Sequence, residues 1–329
     1  MTRDSSSIHV IGADVGGTKT LLRLARVTDG RLETLAQEHF DSGAWASLTP
    51  MIQAFLKGKP AVSAACIAVA CPVESRRVRL TNLELWVDAD EIAQACGIPQ
   101  VRLINDFVAV GYGIETLSAA DIETLQAGQE KSGAPRAVLG AGTGLGEALL
   151  VWQGDHYEVL ASEGGHVDFA PVNEEQIGLL RFLMARHGHV SCERILSGSG
   201  LVAVFEYLAQ GAAGSGVVEH TDAAAAISQA ALAGSDPLAV RALNLFVRIY
   251  GAQAGNLALT AWAQGGVYIA GGIAAKILPK LKEASFLESF RNKGRYREAL
   301  SAMPLRVVTN PQVGLAGSVA AAVRLAAGH

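Results

Sequence analysis

Apolar and polar positions along the chain fall into strand-like and helix-like runs punctuated by turn residues. "IHVIGAD" (8–14) is β-branched and apolar, a glycine turn leads from it into "TKTLLRLARV", and Asp29-Gly30 reads as a hairpin into "RLETLAQEHF". The chain therefore opens as strand, turn, strand, hairpin, strand. "AVSAACIAVACP" (61–72) is apolar throughout, as a central strand buried on both faces must be, and Pro72 closes it before the shorter strand "RRVRLTN". "DADEIAQAC" reads as a helix capped by Asp88 or Asp90 and ended by Gly97 ahead of Pro99. "VRLIN" is a further strand, and the segment after Asp106 reads as helix.

From about 117 to 135 the chain is polar and glycine-containing, with "GQEKSGAP" as the linker candidate, and a second unit begins there. "RAVLGAG", "GEALLVWQGD" and "HYEVLASEGG" read as three strands, followed by mostly helical sequence to about 262 that ends in "DPLAVRALNLFVRIYGAQAGNLALTAWAQ". "GGVYIAGGI" and "PLRVVTN" (304–310) supply late strands, and "GLAGSVAAAVRLAA" (314–327) a final helix that returns to the first unit. At 329 residues two domains are expected, an α/β domain of 1–116 with 308–329 and a larger α/β domain of 117–307. "IGADVGGTKTLL" (11–22) aligns with "LGAGTGLGEALL" (139–150), matching Gly12 to Gly140 and Leu21-Leu22 to Leu149-Leu150. Two related lobes, each presenting a backbone-lined turn, explain that echo; chance glycine similarity is the competing explanation.

Composition narrows the class. With 50% hydrophobic and 18% charged residues the chain has the balance of a folded enzyme rather than of a disordered tail. A formal net charge of −4, and no Lys/Arg run longer than pairs such as Arg76-Arg77, argue against a nucleic-acid partner. Cys66, Cys71, Cys96 and Cys192 form no C-x-x-C pair and read as reduced, buried thiols. "MTRDSSSIHV" has no apolar signal core, and no run of about 18 residues is free of polar interruption. No membrane association is expected, and a cytoplasmic location is.

The candidate chemistry lies in three glycine turns and a set of polar side chains. In "ADVGGT", Gly16 and Gly17 let backbone N–H groups crowd an anion, Thr18 adds a hydroxyl, and Asp14 at the strand end becomes useful to a phosphate only through Mg²⁺ that keeps its waters. "GADVGGTKT" is not a P-loop, because Thr18 stands where Lys is required, and "GAGTGLG" misses the dinucleotide fingerprint and leads into a strand. "GGVYIAGGI" ends in Gly271-Gly272 before a helix, a junction where a flat ring can lie on bare backbone; tight packing is the plainer alternative. Asn105, Asp106, Glu163, His166 and Glu193 supply the donors and acceptors that a hydroxyl-rich ligand needs. Asn105 could equally be a helix cap. His187 and His189 read as solvated, and the spacing of His166, His187, His189 and Cys192 is not that of a structural zinc site.

In order along nearly the whole chain, "GADVGGTK", "IAVACPV", "TNLELW", "LINDFVAV", "GAGTGLG", "EGGHVDFAP", "GHVSCERILSG", "GGVYIAGGI" and "NPQVGLAGS" resemble the bacterial ATP-dependent glucokinases, of the hexokinase-like branch of the actin, Hsp70 and sugar-kinase superfamily. The resemblance implies two lobes of the actin-like ATPase (ribonuclease H-like) fold with an interlobe cleft, commonly as a homodimer. It implies phosphorylation of glucose at the 6-hydroxyl, the first step of glucose use in glycolysis, with a kinase of another hexose (fructose, mannose or an amino sugar) as the alternative. Asp106 would be the catalytic base, and Asn105, Asp106, Glu163, His166 and Glu193 would hold the sugar, with Asn82 as a weaker candidate. ATP would meet Ala13, Asp14, Val15, Gly16, Gly17, Thr18, Gly142, Thr143, Gly271 and Gly272, and Asp14 would hold Mg²⁺ through water. Two positions depart from the pattern: Lys19 stands where close relatives often have Asn, and around Glu193 only Cys192 stands where zinc-binding relatives carry a cysteine-rich motif, so no zinc is expected.

Overall fold

The structure is a computed structural model that describes residues 7–80, 85–210 and 222–328. It divides into two compact units, Met1–Ser118 with Gln312–His329, and Ala119–Pro311.

The first unit contains β1 (Ile8–Val15), β2 (Lys19–Thr28), β3 (Arg31–Asp41), β4 (Ala64–Val69), β5 (Arg77–Leu80), β6 (Leu85–Asp88) and β7 (Gln100–Asn105). Its main sheet runs β3-β2-β1-β4-β7, with β5 and β6 as a separate pair. The β1-β2-β3 part is antiparallel, and β1, β4 and β7 are mutually parallel. Asp29 and Gly30 both take positive φ (48° and 76°), as the hairpin turn requires. All six residues of β4 are buried, which its unbroken apolar sequence demands. Ile11, Ala13 and Val15 of β1 share one core with Met51, Ile52, Phe55 and Ile92 from the helices Leu48–Leu56 and Ala89–Cys96. The last helix, Val313–Ala326, packs on β1, β4 and the helix Asp106–Ile114, which brings the C-terminal segment into this unit.

The second unit contains β8 (Ile122–Gln126), β9 (Arg136–Ala141), β10 (Leu145–Trp152), β11 (Tyr157–Ser162), β12 (Val267–Ala270) and β13 (Leu305–Val308), in the order β11-β10-β9-β12-β13-β8. β8 lies where the sequence reads as linker; it is a half-exposed edge strand and so carries no apolar alternation. β13 is paired with β12 and β8, so the return to the first unit falls after Pro311 instead of at 308. The helix Pro237–Ala261 starts with Pro at its first position and an Asp236 cap, and it forms the spine of this unit's core through Leu243, Phe246, Tyr250 and Ala254.

Strand for strand, β3-β2-β1-β4-β7 corresponds to β11-β10-β9-β12-β13, with the same parallel and antiparallel pairings. The sequence echo maps onto β1-turn-β2 and β9-turn-β10, so it is a repeat of structure. Among the described residues no helix is long and apolar enough to cross a membrane.

Candidate active site

In the first unit, Val15, Val69 and Asn105 stand in register at the ends of β1, β4 and β7. The β1–β2 turn and the Asn105-Asp106 pair therefore share the carboxyl edge of the parallel strands, where open α/β sheets hold ligands. The Gly16 N–H donates to the Lys19 carbonyl at 2.9 Å and closes the turn. Ser42 pins it: its N–H donates to the Thr18 carbonyl (3.0 Å), and its hydroxyl lies 2.9 Å from the Gly16 carbonyl and 2.9 Å from Thr20 Oγ1. Gly17, Thr18 and Lys19 are left exposed. The side chains of Ala13 and Val15 face the core, so these two have only backbone to offer a phosphate. Asp14 points the other way and lies against the last helix, where a Cβ on Gly314 would sit 3.3 Å from its Oδ2. Burial pushes its carboxyl above the ordinary 3.8.

A cation beside Asp14 would offset that desolvation. Among the described residues no three His, Cys, Asp or Glu side chains gather around a possible metal. One carboxylate without a protein cage suits Mg²⁺, which keeps waters and takes phosphate oxygens, so the donor set fits the implied metal.

Asn105 caps the helix Asp106–Ile114, its Oδ1 accepting the N–H groups of Phe107 (2.8 Å) and Val108 (3.3 Å) while its Nδ2 donates to the Cys71 carbonyl at 3.4 Å. Asp106 opens that helix, half-buried, with Oδ1 2.9 Å from the Phe107 nitrogen. Asn82 lies outside the described residues.

In the second unit Gly140 of β9 pairs with Ala270 of β12, so the glycine turns that follow the two strands also share an edge. The Gly142 N–H donates to the Gly144 carbonyl at 2.8 Å, and the Gly142 carbonyl accepts the Gly198 N–H at 2.9 Å. A cavity of about 300 Å³ opens beside them, lined by Gly142, Thr143, Gly198, Ser228, Gly272 and Lys276 among others. Both glycine clusters named from this unit's sequence thus border one space.

Glu163, His166 and Glu193 come together at the same sheet edge. His166 Nε2 is 3.8 Å from Glu163 Oε2, and its Nδ1 is 3.9 Å from Glu193 Oε1. Glu193 Oε2 accepts the Leu145 N–H at 2.9 Å, and a Cβ on Gly144 would collide with that oxygen. The two turns carrying the trio are tied by the Cys192 N–H to the Val167 carbonyl (2.9 Å) and the Phe169 N–H to the Val190 carbonyl (3.0 Å). His189 pairs with Asp168 at 2.7 Å, outside the trio.

The family model for glucokinase matches residues 11–325. The chain belongs to the glucokinase family. A glucokinase from Trichormus variabilis is 44% identical over 96% of this chain and 99% of its own length. The crystal structure of a glucokinase from an Antarctic psychrotroph is 33% identical, with a TM-score of 0.85 over 96% of this chain and 99% of that one. A ROK family glucokinase from Streptomyces griseus, solved with glucose and AMPPNP, is 22% identical with a TM-score of 0.61, covering 96% of this chain and 99% of that one. The repeated five-strand units are those of the actin-like ATPase fold that these glucokinases share.

Of the site residues named from sequence, the structure gathers Glu163, His166 and Glu193 at one place, Gly142, Thr143 and Gly272 at one cavity, and Asp14, the glycine turn and Asn105-Asp106 along one edge of the other unit. Glu147, Gln253 and Ser42 are additions, since no local motif marks them. The one signal for Glu147 is a charge inside an otherwise apolar strand, where it is 2% exposed.

Proposed function

We propose that this glucokinase-family chain transfers the γ-phosphoryl group of ATP to the 6-hydroxyl of D-glucose, giving glucose 6-phosphate and ADP, with Asp106 taking the hydroxyl proton. The convergence of Glu163, His166 and Glu193 carries the sugar half of this reading: two carboxylates and an imidazole, partly exposed, form a fixed array of acceptors and a donor for vicinal hydroxyls. The S. griseus structure, solved with glucose and an ATP analogue on the same fold, supports the pairing of substrates.

The O6–P bond forms as the bond from the γ-phosphorus to the bridging oxygen of ADP breaks, and the O6 proton passes to the Asp106 carboxylate. A carboxylate suffices as the base, because a loose phosphoryl-transfer transition state releases the proton late and positioning supplies most of the acceleration. Asn105 holds the start of the helix that presents Asp106. In the second unit the cavity bordered by Gly272 takes the adenosine and Thr143 offers backbone and hydroxyl to phosphate oxygens; in the first, Gly17 and Thr18 carry the same kinds of group on an exposed turn. Mg²⁺ held through water by Asp14 would neutralise phosphate charge.

Replacing Asp106 by Asn should lower kcat by a factor of about 10³ while calorimetric glucose binding stays within about threefold. Near-normal kcat in that variant would remove Asp106 from the base role. A coupled ADP assay over glucose, fructose, mannose and glucosamine decides the hexose, and turnover that favours another sugar overturns the glucose assignment.

A further inference from the structure

A directed chain of hydrogen bonds runs through the core beneath the Glu163, His166 and Glu193 cluster. Lys293 Nζ donates to Asn256 Oδ1 (2.6 Å) and to the Ala252 carbonyl (2.9 Å). Asn256 Nδ2 donates to Gln253 Oε1 (3.1 Å), and Gln253 Nε2 donates to Glu147 Oε1 (2.9 Å). An ammonium has only donors and an ionised carboxylate only acceptors, so the two ends fix which way both amides face. Burial pulls the Lys293 ammonium below its ordinary value and pushes the Glu147 carboxyl above its own, while the bond from Gln253 works against the latter.

The chain ends on the sugar-binding turns. The Glu147 carboxylate lies against the backbone of Gly164, where a Cβ would collide with Oε2; this is the turn between Glu163 and His166. Cys192, the neighbour of Glu193, places Sγ 3.4 Å from Gln253 Oε1. One glutamine amide therefore touches the support of both turns, its nitrogen through Glu147 and its oxygen through Cys192. Among the described residues no hydrogen bond joins Gln253 to Glu163, His166 or Glu193; its bonds go to Glu147, Asn256 and Cys192.

We propose that Gln253 is a positioning residue for sugar recognition, setting the separation of the Glu163–His166 turn from the Glu193 turn, with Glu147 and the Lys293–Asn256 pair fixing its orientation. This deepens the sugar-site reading above and rests on it. Gln253 stands on the long helix Pro237–Ala261 and is 5% exposed, so its rotamer is held by packing as well as by these bonds.

The test compares Gln253→Leu, Gln253→Glu and Glu147→Gln in the full chain. Gln253→Leu removes both contacts at similar volume, and the glucose KM should rise roughly tenfold, the effect of losing one or two buried hydrogen bonds, with kcat and the ATP KM changed by less than about twofold. Glu147→Gln keeps an acceptor for the amide and should raise the glucose KM by less than about threefold. Gln253→Glu sets a carboxyl against Glu147, so the pair keeps one proton between them and loses it as pH rises. Its glucose KM should approach that of the parent at low pH and climb with pH relative to it. The other titratable groups facing Glu147 are Cys192, pushed by burial up to about 12, and Tyr250, also pushed up by burial; beyond them stand Lys293, Asp168, Glu163, His166 and Glu193.

An unchanged glucose KM in folded Gln253→Leu overturns the proposal. So does a parallel rise in the KM of both substrates, or a Gln253→Glu profile that follows the parent at every pH. If Gln253→Leu does not fold, the other two variants decide. A parent protein that turns over no glucose would instead sink the sugar-site reading.

Discussion

Burial pushes the Asp14 carboxyl up from 3.8, because its surroundings resist the charge. A raised folded-state pKa means stability that is complete below the unfolded value of 3.8 and is lost as pH rises through the folded value. Asn at position 14 keeps the shape and cannot ionise. Thermal melts of Asp14→Asn should therefore show a Tm higher than the parent at pH 7, on the order of 2 °C, with the gap closing as pH falls toward 3.8. The same variant should lose about 10²-fold in kcat/KM for Mg·ATP, and a variant both less stable at pH 7 and fully active would remove Asp14 from this role. The residue scale also shows how one side chain can answer two questions. Asn105 reads from sequence as a sugar ligand or a cap; the structure shows the cap, made with Oδ1, and one hydrogen of its amide nitrogen goes to the Cys71 carbonyl, so the second hydrogen is what it has to offer a hydroxyl.

At the scale of elements, the β1–β2 turn is shaped by a residue more than twenty positions downstream. Ser42 is buried, and its hydroxyl and N–H hold the Gly16 carbonyl, Thr20 and the Thr18 carbonyl. Ser42→Ala leaves a buried hydroxyl and a carbonyl short of a partner, so stability should drop by about 1–3 kcal/mol. The loosened turn should raise the ATP KM several-fold while the glucose KM holds, as steady-state kinetics with each substrate varied would show; a glucose-specific effect would contradict this account. Turn chemistry and capping were legible here, because Asp29-Gly30, Asp88 and Gly97 act on their own neighbours. β8 was not legible, because an exposed edge strand needs no apolar face to be held by its partner β13.

For the molecule as a whole, the repeat of a five-strand unit places a glycine turn at the same edge of each sheet. The second unit bears the cavity of about 300 Å³ proposed above for adenosine, and a Cβ on Gly272 would meet no atom within 4 Å there. Gly272→Val should then fold normally and fill that space, raising the ATP KM by roughly tenfold or more with glucose binding untouched by calorimetry. A glucose defect equal to the ATP defect would mean that the cavity serves another ligand.

The sequence by itself determined most of the strands, the caps at Asp88, Gly97 and Asn105, the two-part organisation and the chemistry of the turns, since those follow from local periodicity and from what glycine, proline and short polar side chains do to their own backbone. Glu163, His166 and Glu193 could be named from it as a set. Their convergence was decided only by the tertiary structure, as was the buried line from Lys293 to Glu147 that underlies them. Such a line joins residues more than a hundred positions apart, and a hydrogen bond across that distance exists only once packing has excluded water and left each donor a single acceptor.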